Sequence, residues 1–138
     1  MKKIRILFVC KYNRFRSRIA EAYFKKINKN KKYIAESAGV IQGFLPLDKN
    51  EVKAAKDFGI SILGKPRAMT MDLLKKQDII VVVANDVPKE IFSYKWYKDK
   101  VRIMKIKDVK DNDKLENIRK VIKTIIKNLD KFTKQLKW

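Results

Sequence analysis

The chain has 138 residues, 46% of them hydrophobic, and carries a formal charge of +20, with a single cysteine and no histidine. This length suits one domain over residues 1–138 with a full core. Without histidine there can be no Ser-His-Asp triad, Cys-His dyad or imidazole-based zinc site. One cysteine excludes an internal disulfide and points to a reducing, cytoplasmic setting.

In chain order, residues 4–9 form a short, nearly continuous apolar run, as expected of a strand buried on both faces. Residues 17–28 carry Ile19, Ala20, Tyr23, Phe24 and Ile27 at helical spacing. A second strand over residues 33–38 is closed by Gly39. A helix over residues 48–58 follows, stopped by Gly59. Thr70 is placed to cap a short helix over residues 70–76. Residues 79–84, rich in valine, read as the central strand. Pro88 is expected to open a helix reaching about Tyr94, and residues 101–106 to form a fourth strand.

The longest helix is predicted over residues 113–137. Leu115, Ile118, Ile122, Ile125, Leu129, Phe132 and Leu136 alternate steps of three and four, and Asp113 with Glu116 resembles a capping box. Four strand–helix alternations predict an α/β fold with a parallel sheet and helices on both faces. The apolar runs are strand-sized, too short to cross a membrane.

The charge is carried by lysines scattered over the whole chain, with none of the aromatic-interleaved or zinc-finger spacings of nucleic-acid readers. Contact with nucleic acid is therefore expected only through non-specific charge, and the surface should attract phosphorylated or acidic partners. Arginine is distributed differently. Only seven of the 35 basic residues are arginine, yet Arg14, Arg16 and Arg18 fall within five positions just after Cys10.

That run is Cys10-Lys11-Tyr12-Asn13-Arg14-Phe15-Arg16-Ser17, a loop between the first strand and the first helix. Strand, tight loop and helix N-terminus together direct backbone N–H groups and a partial positive charge at an anion. Cysteines at helix N-termini beside cations are those that react as thiolates. Arg16 can grip two oxygens of one oxyanion, which lysine cannot. Ser17 is placed to hydrogen-bond the sulfur. Residues Lys11, Tyr12, Asn13, Arg14, Phe15, Arg16 and Ser17 are thus the candidate phosphate cradle, and Cys10 the candidate nucleophile.

On these residues the chain resembles the low-molecular-weight protein tyrosine phosphatase family, whose signature is Cys, five residues, Arg and Ser/Thr after an N-terminal strand. Asn13, the helix start Arg16-Ser17 with Ala20-Glu21-Ala22, the triplet Ser37-Ala38-Gly39, Phe58-Gly59-Ile60 and Ala68-Met69-Thr70 extend the likeness over nearly the whole chain. The resemblance implies a four-stranded parallel sheet of flavodoxin-like order. It also implies metal-free hydrolysis of phosphotyrosine, or another aryl phosphate monoester, through a phosphocysteine.

The resemblance further implies a general acid in an Asp-Pro pair before the last helix, where this chain has Asp108-Val109. Asp108 follows the fourth strand and Cys10 the first, so both belong to one edge of a parallel sheet. Asp111 is a local competitor, and Asp113 already has a capping role.

Three places depart from the family pattern. Tyr12 stands where glycine is usual, so it either accepts an ordinary backbone and walls the pocket mouth, or distorts the cradle. Phe15 replaces a second cysteine. Lys110 and Asp111 replace aromatic residues. Lys11, Tyr12, Arg14, Gly43 and Phe44, with Trp96 and Tyr97, are candidate rim residues. Two rival functions remain open: an arsenate reductase using an external thiol, and a non-catalytic relative that binds anions or nucleic acid.

Overall fold

The structure, a computed structural model, describes residues 2–94 and 98–136. Four strands, β1 (Ile4–Cys10), β2 (Tyr33–Gly39), β3 (Ile79–Val83) and β4 (Val101–Met104), form one sheet in the order β2-β1-β3-β4. Every pairing is parallel. Cys10 pairs with Gly39 at the carboxyl end of β1, opposite the end where Ile4 pairs with Tyr33.

Alternation along β1 explains the double-sided core. Ile6 and Phe8 face one layer with Phe24, Ala54, Ile118, Ile122, Ile125, Leu129 and Phe132. Leu7 and Val9 face the other, with Leu74, Ile80, Val82 and Phe92. Helices α1 (Arg16–Ile27), α2 (Lys49–Asp57) and α4 (Leu115–Gln135) cover the first face. Helix α3 (Met71–Lys75) and a 3₁₀ turn at Lys89–Phe92 cover the second. The apolar stripe predicted for the last helix is the one buried, and each such side chain contributes about 1.5–3 kcal/mol when fully removed from water.

Local signals had mixed outcomes. Thr70 caps α3 by accepting from the Leu73 N–H at 3.1 Å, and Asp48 caps α2 by accepting from the Glu51 N–H at 2.9 Å. The capping box at Asp113 does not form. Asp111 turns the chain at φ 56°, its carbonyl accepts from the Lys114 N–H, and Lys114 becomes the cap residue without a side-chain bond. Pro88 is followed by a single 3₁₀ turn, not a helix to Tyr94, because Ser93 closes on the Glu90 carbonyl through both its N–H and its hydroxyl. Strand β4 stops at Met104, where the Ile106 N–H folds back onto the Met104 carbonyl at 2.9 Å. Beyond it the Ile106 carbonyl accepts from the Asn85 N–H at 3.0 Å and from Arg16 at 2.9 Å.

Lys32 lies beside Ile4, at the sheet end away from Cys10. The lysine cluster that follows α1 is therefore remote from the cysteine loop. Among the described residues no helix is long and apolar enough to cross a membrane.

Candidate active site

The Cys10 loop is held from behind by side chains buried beneath it. Asn13 takes the left-handed conformation at φ 55°, which asparagine tolerates better than most residues. Its amide nitrogen donates to the Ser17 hydroxyl at 2.8 Å and to the Ser37 hydroxyl at 2.9 Å, and its carbonyl accepts from the Arg67 N–H at 3.0 Å. Ser37 in turn donates to Glu21. The Ser17 hydroxyl lies 3.0 Å from the Cys10 Sγ. Because Asn13 donates to Ser17, the Ser17 hydrogen remains available to an acceptor, and the sulfur lies within its reach.

Close backbone packing fixes the loop from the side. The Val40 and Ile41 N–H groups donate to the Cys10 and Lys11 carbonyls at 3.0 and 2.9 Å. A Cβ on Gly43 would lie 2.1 Å from the Tyr12 carbonyl oxygen, so only glycine fits. Tyr12 is not among the residues with positive φ; it takes an ordinary backbone and packs edge-on against Phe44, ring centres 6.1 Å apart. Tyr12 also lines the pocket over Cys10.

Above the sulfur is a pocket of about 130 Å³ lined by Cys10, Tyr12, Arg14, Phe15, Arg16, Glu51, Asp108, Val109 and Asn112. The first turn of α1, which opens here, has no acidic residue, and its cap residue Phe15 makes no side-chain bond. Its N–H groups are thus left for an anion. Arg16 is only 3% exposed. Its Nη1 donates to the Ile106 carbonyl at 2.9 Å and its Nη2 to Asp86 at 2.9 and 3.1 Å, while Nε faces Asp108 at 3.8 Å. Asp108 is half exposed and accepts from the Val109 N–H at 2.8 Å.

Not every predicted cradle side chain faces this pocket. Lys11 sits over the Tyr12 ring at 5.3 Å. Asn13 and Ser17 act from behind. Arg14 does line the pocket, but its guanidinium straps the following loop, donating to the Phe44 and Pro46 carbonyls at 3.0 and 2.9 Å while stacking on the Phe44 ring at 4.0 Å. Arg18 donates to the Ile62 carbonyl, away from the site. Asp111 does not line the pocket. Gly43 and Phe44 do not line the pocket but pack against Tyr12 and Arg14, which do; Trp96 and Tyr97 lie outside the described residues.

Sequence reasoning missed Glu51 and Asn112. Glu51 occupies the third position of α2, where Asp48-x-x-Glu51 reads as an ordinary capping box. Only half of that box forms: Asp48 accepts from the Glu51 N–H, but its other oxygen accepts from Asn112 at 2.9 Å, tying the Asp108–Asn112 loop to α2. The Glu51 side chain turns into the pocket instead. Burial, reinforced by the charges of Asp48 and Asp108 and opposed by Arg14 and Arg16, pushes its carboxyl up to about 7. Among the described residues no cluster of three or more Cys, Asp or Glu side chains could hold a metal ion.

A protein tyrosine phosphatase from Entamoeba histolytica is 27% identical to the chain, aligned over 90% of this chain and 89% of that one with a TM-score of 0.76. The low molecular weight protein tyrosine phosphatase from T. tengcongensis, 25% identical, aligns over 96% and 99% at 0.80. The YwlE arginine phosphatase from Geobacillus stearothermophilus, 20% identical, shares the fold over 97% and 93% at 0.81. Comparison with curated proteins gave no match. The model of the low molecular weight phosphotyrosine protein phosphatases matches residues 5–137. The chain, a cysteine-dependent phosphatase with its thiol at the base of an anion-sized pocket, belongs to the low molecular weight phosphotyrosine protein phosphatase family.

Proposed function

We propose that Cys10, Arg16 and Asp108 carry the hydrolysis of phosphotyrosine or another aryl phosphate monoester. The observation that carries this reading is the 3.0 Å contact between Cys10 Sγ and Ser17 Oγ at the base of a pocket walled by Arg16 and Asp108. The Cys10 thiolate attacks phosphorus in line. An S–P bond forms as the P–O bond to the leaving group breaks, and Asp108 gives its proton to the departing oxygen. Arg16 and the N–H groups at the start of α1 stabilise the charge that develops on the phosphoryl oxygens.

In the second step water attacks the phosphocysteine, and the Asp108 carboxylate takes its proton. The S–P bond breaks, and the Ser17 hydroxyl stabilises the departing thiolate. Inorganic phosphate leaves, and both groups return to their starting states. The remaining cradle residues act through this geometry: Asn13 shapes the loop, Phe15 and Tyr12 wall it, and Lys11 and Arg14 hold its flanks.

The absence of a second cysteine that could protect Cys10 as a disulfide supports a reducing, cytoplasmic setting. Leaving-group dependence tests the role of Asp108. Asp108→Asn should lose about 10²–10⁴-fold in turnover of phenyl phosphate and far less on p-nitrophenyl phosphate, whose phenolate departs without a proton. Equal losses on the two substrates would assign Asp108 another role.

A further inference from the structure

Glu51 is the one carboxyl group in the pocket that no partner satisfies. The residue is 7% exposed, yet it lines the same small cavity as Cys10, Arg16 and Asp108. Among the described residues its carboxyl makes no hydrogen bond and no ion pair. The nearby cations are engaged elsewhere: Arg14 on the Phe44 and Pro46 carbonyls, Arg16 on Asp86 and the Ile106 carbonyl. The capping bond by which a glutamate at this helical position would accept from the backbone N–H at its own helix start is not made among the described residues.

A largely buried carboxylate that meets only the solvent of a small pocket, beside two other carboxylates, is a costly arrangement, and holding a proton relieves it. A neutral carboxylic acid has one O–H donor. The pocket, at about 130 Å³, is far below the ~300–1,000 Å³ of sites for drug-sized ligands, so an oxyanion seated over Cys10 fills much of it. The donor therefore meets an acceptor-rich ligand at close range.

We propose that Glu51 binds the phosphoryl group as a neutral carboxylic acid, its O–H donating a hydrogen bond to an oxygen of the oxyanion held over Cys10, and that its ionisation expels that oxyanion. This rests on the phosphatase reading of the same pocket. Glu51 keeps its proton through both steps, so no bond breaks at it; proton transfer to the leaving group stays with Asp108. The charged and titratable groups that face Glu51 are Asp48 at the start of its own helix, Cys10, Arg14 and Arg16 from the loop, and Asp108 from the chain after β4. Oxyanion and proton then bind with positive coupling, each favouring the other.

The test is sulfate binding by calorimetry from about pH 5 to pH 9, because sulfate remains a dianion throughout while phosphate itself titrates. A Cys10→Ser background removes the thiol as a second titrating group. In that background the affinity for sulfate should fall about tenfold between about pH 6 and pH 8. Adding Glu51→Gln, which keeps an N–H donor without a charge, should flatten the profile and retain tight binding at pH 8. Adding Glu51→Ala should flatten it at a weaker affinity. Adding Asp108→Asn should keep the pH dependence but move it to lower pH, because the Asp108 charge helps Glu51 hold its proton. The same slope in Cys10→Ser and in Cys10→Ser/Glu51→Gln would overturn the role of Glu51 while leaving the phosphate loop intact. No sulfate binding by Cys10→Ser at any pH would instead sink the loop reading itself, and the proposal with it. Circular dichroism of each variant at both pH extremes identifies any loss of binding that comes from unfolding.

Discussion

Asn13 and Ser17 are joined by a 2.8 Å hydrogen bond beneath the Cys10 loop, in which Asn13 is the donor and the Ser17 hydrogen stays free for another acceptor. With Asn13 as donor, Ser17 keeps a hydrogen that it can offer to the sulfur 3.0 Å away. The same asparagine holds a left-handed turn that most side chains resist.

Replacing Asn13 by alanine removes two donors and one acceptor that are buried and fully used, and leaves a strained backbone at φ 55°. Asn13→Ala should lower stability by about 1–3 kcal/mol in urea titration and cut kcat by tenfold or more. Wild-type kcat in a folded Asn13→Ala protein would show that the network beneath the loop is dispensable.

Gly43 offers a purely steric test. A methyl group there meets the Tyr12 carbonyl at 2.1 Å and the Pro66 Cβ at 2.7 Å, so the loop must move. Gly43→Ala should reduce kcat/KM through displacement of Tyr12 and cost about 1–3 kcal/mol of stability. An unchanged kcat/KM would mean that the loop tolerates the shift.

Glu51 also leaves a mark on stability, with a definite sign. Its folded carboxyl titrates at about 7, above the value near 4.5 of an unfolded glutamate, so the folded state binds the extra proton between those limits. Stability should therefore fall as pH rises through that window, by roughly 3 kcal/mol in total, and then level off. Relative to wild type, Glu51→Gln should become progressively more stable from about pH 4.5 to pH 7 in thermal melts. A constant difference between the two proteins would place the buried proton elsewhere.

Glu36 shows the opposite sign. Burial pushes its carboxyl up, but bonds from Arg67, Gln77 and Arg5 together outweigh burial and hold it below the usual range. Its contribution is present above the unfolded carboxyl value and is lost as pH falls through the folded one. Glu36→Gln should be clearly less stable than wild type at neutral pH, with the gap closing in acid. A gap independent of pH would show that shape, not charge, holds Arg5 and Arg67 there.

The fold was legible because its signals are local and repetitive. The apolar runs of β1 and β3 and the stripe from Ile118 to Phe132 need no partner to be read. The loop was legible because Cys10, Arg16 and Ser17 lie within eight residues of one another. Glu51 and Asn112 were not, because their roles arise from pairing across the fold. Asp48 accepts from Asn112, 64 positions away, which brings the loop that carries Asp108 against α2 and the Glu51 side chain. The Asp113 cap failed for a related reason: a left-handed turn at Asp111 moved the helix start beyond it. Arg14 and Arg18 looked equivalent to Arg16 as charges, yet only the carbonyls of Phe44, Pro46 and Ile62 reveal them as straps.

The central claim is that Cys10 forms a covalent bond to phosphorus, and acid quenching of a phosphotyrosyl peptide reaction tests it most directly. The wild-type protein should carry phosphate on Cys10 during turnover, located by mass spectrometry. Cys10→Ser should lose about 10⁴–10⁶-fold in turnover while still binding inorganic phosphate. Turnover by Cys10→Ser equal to that of the wild type, with no phosphate trapped on Cys10, would contradict it.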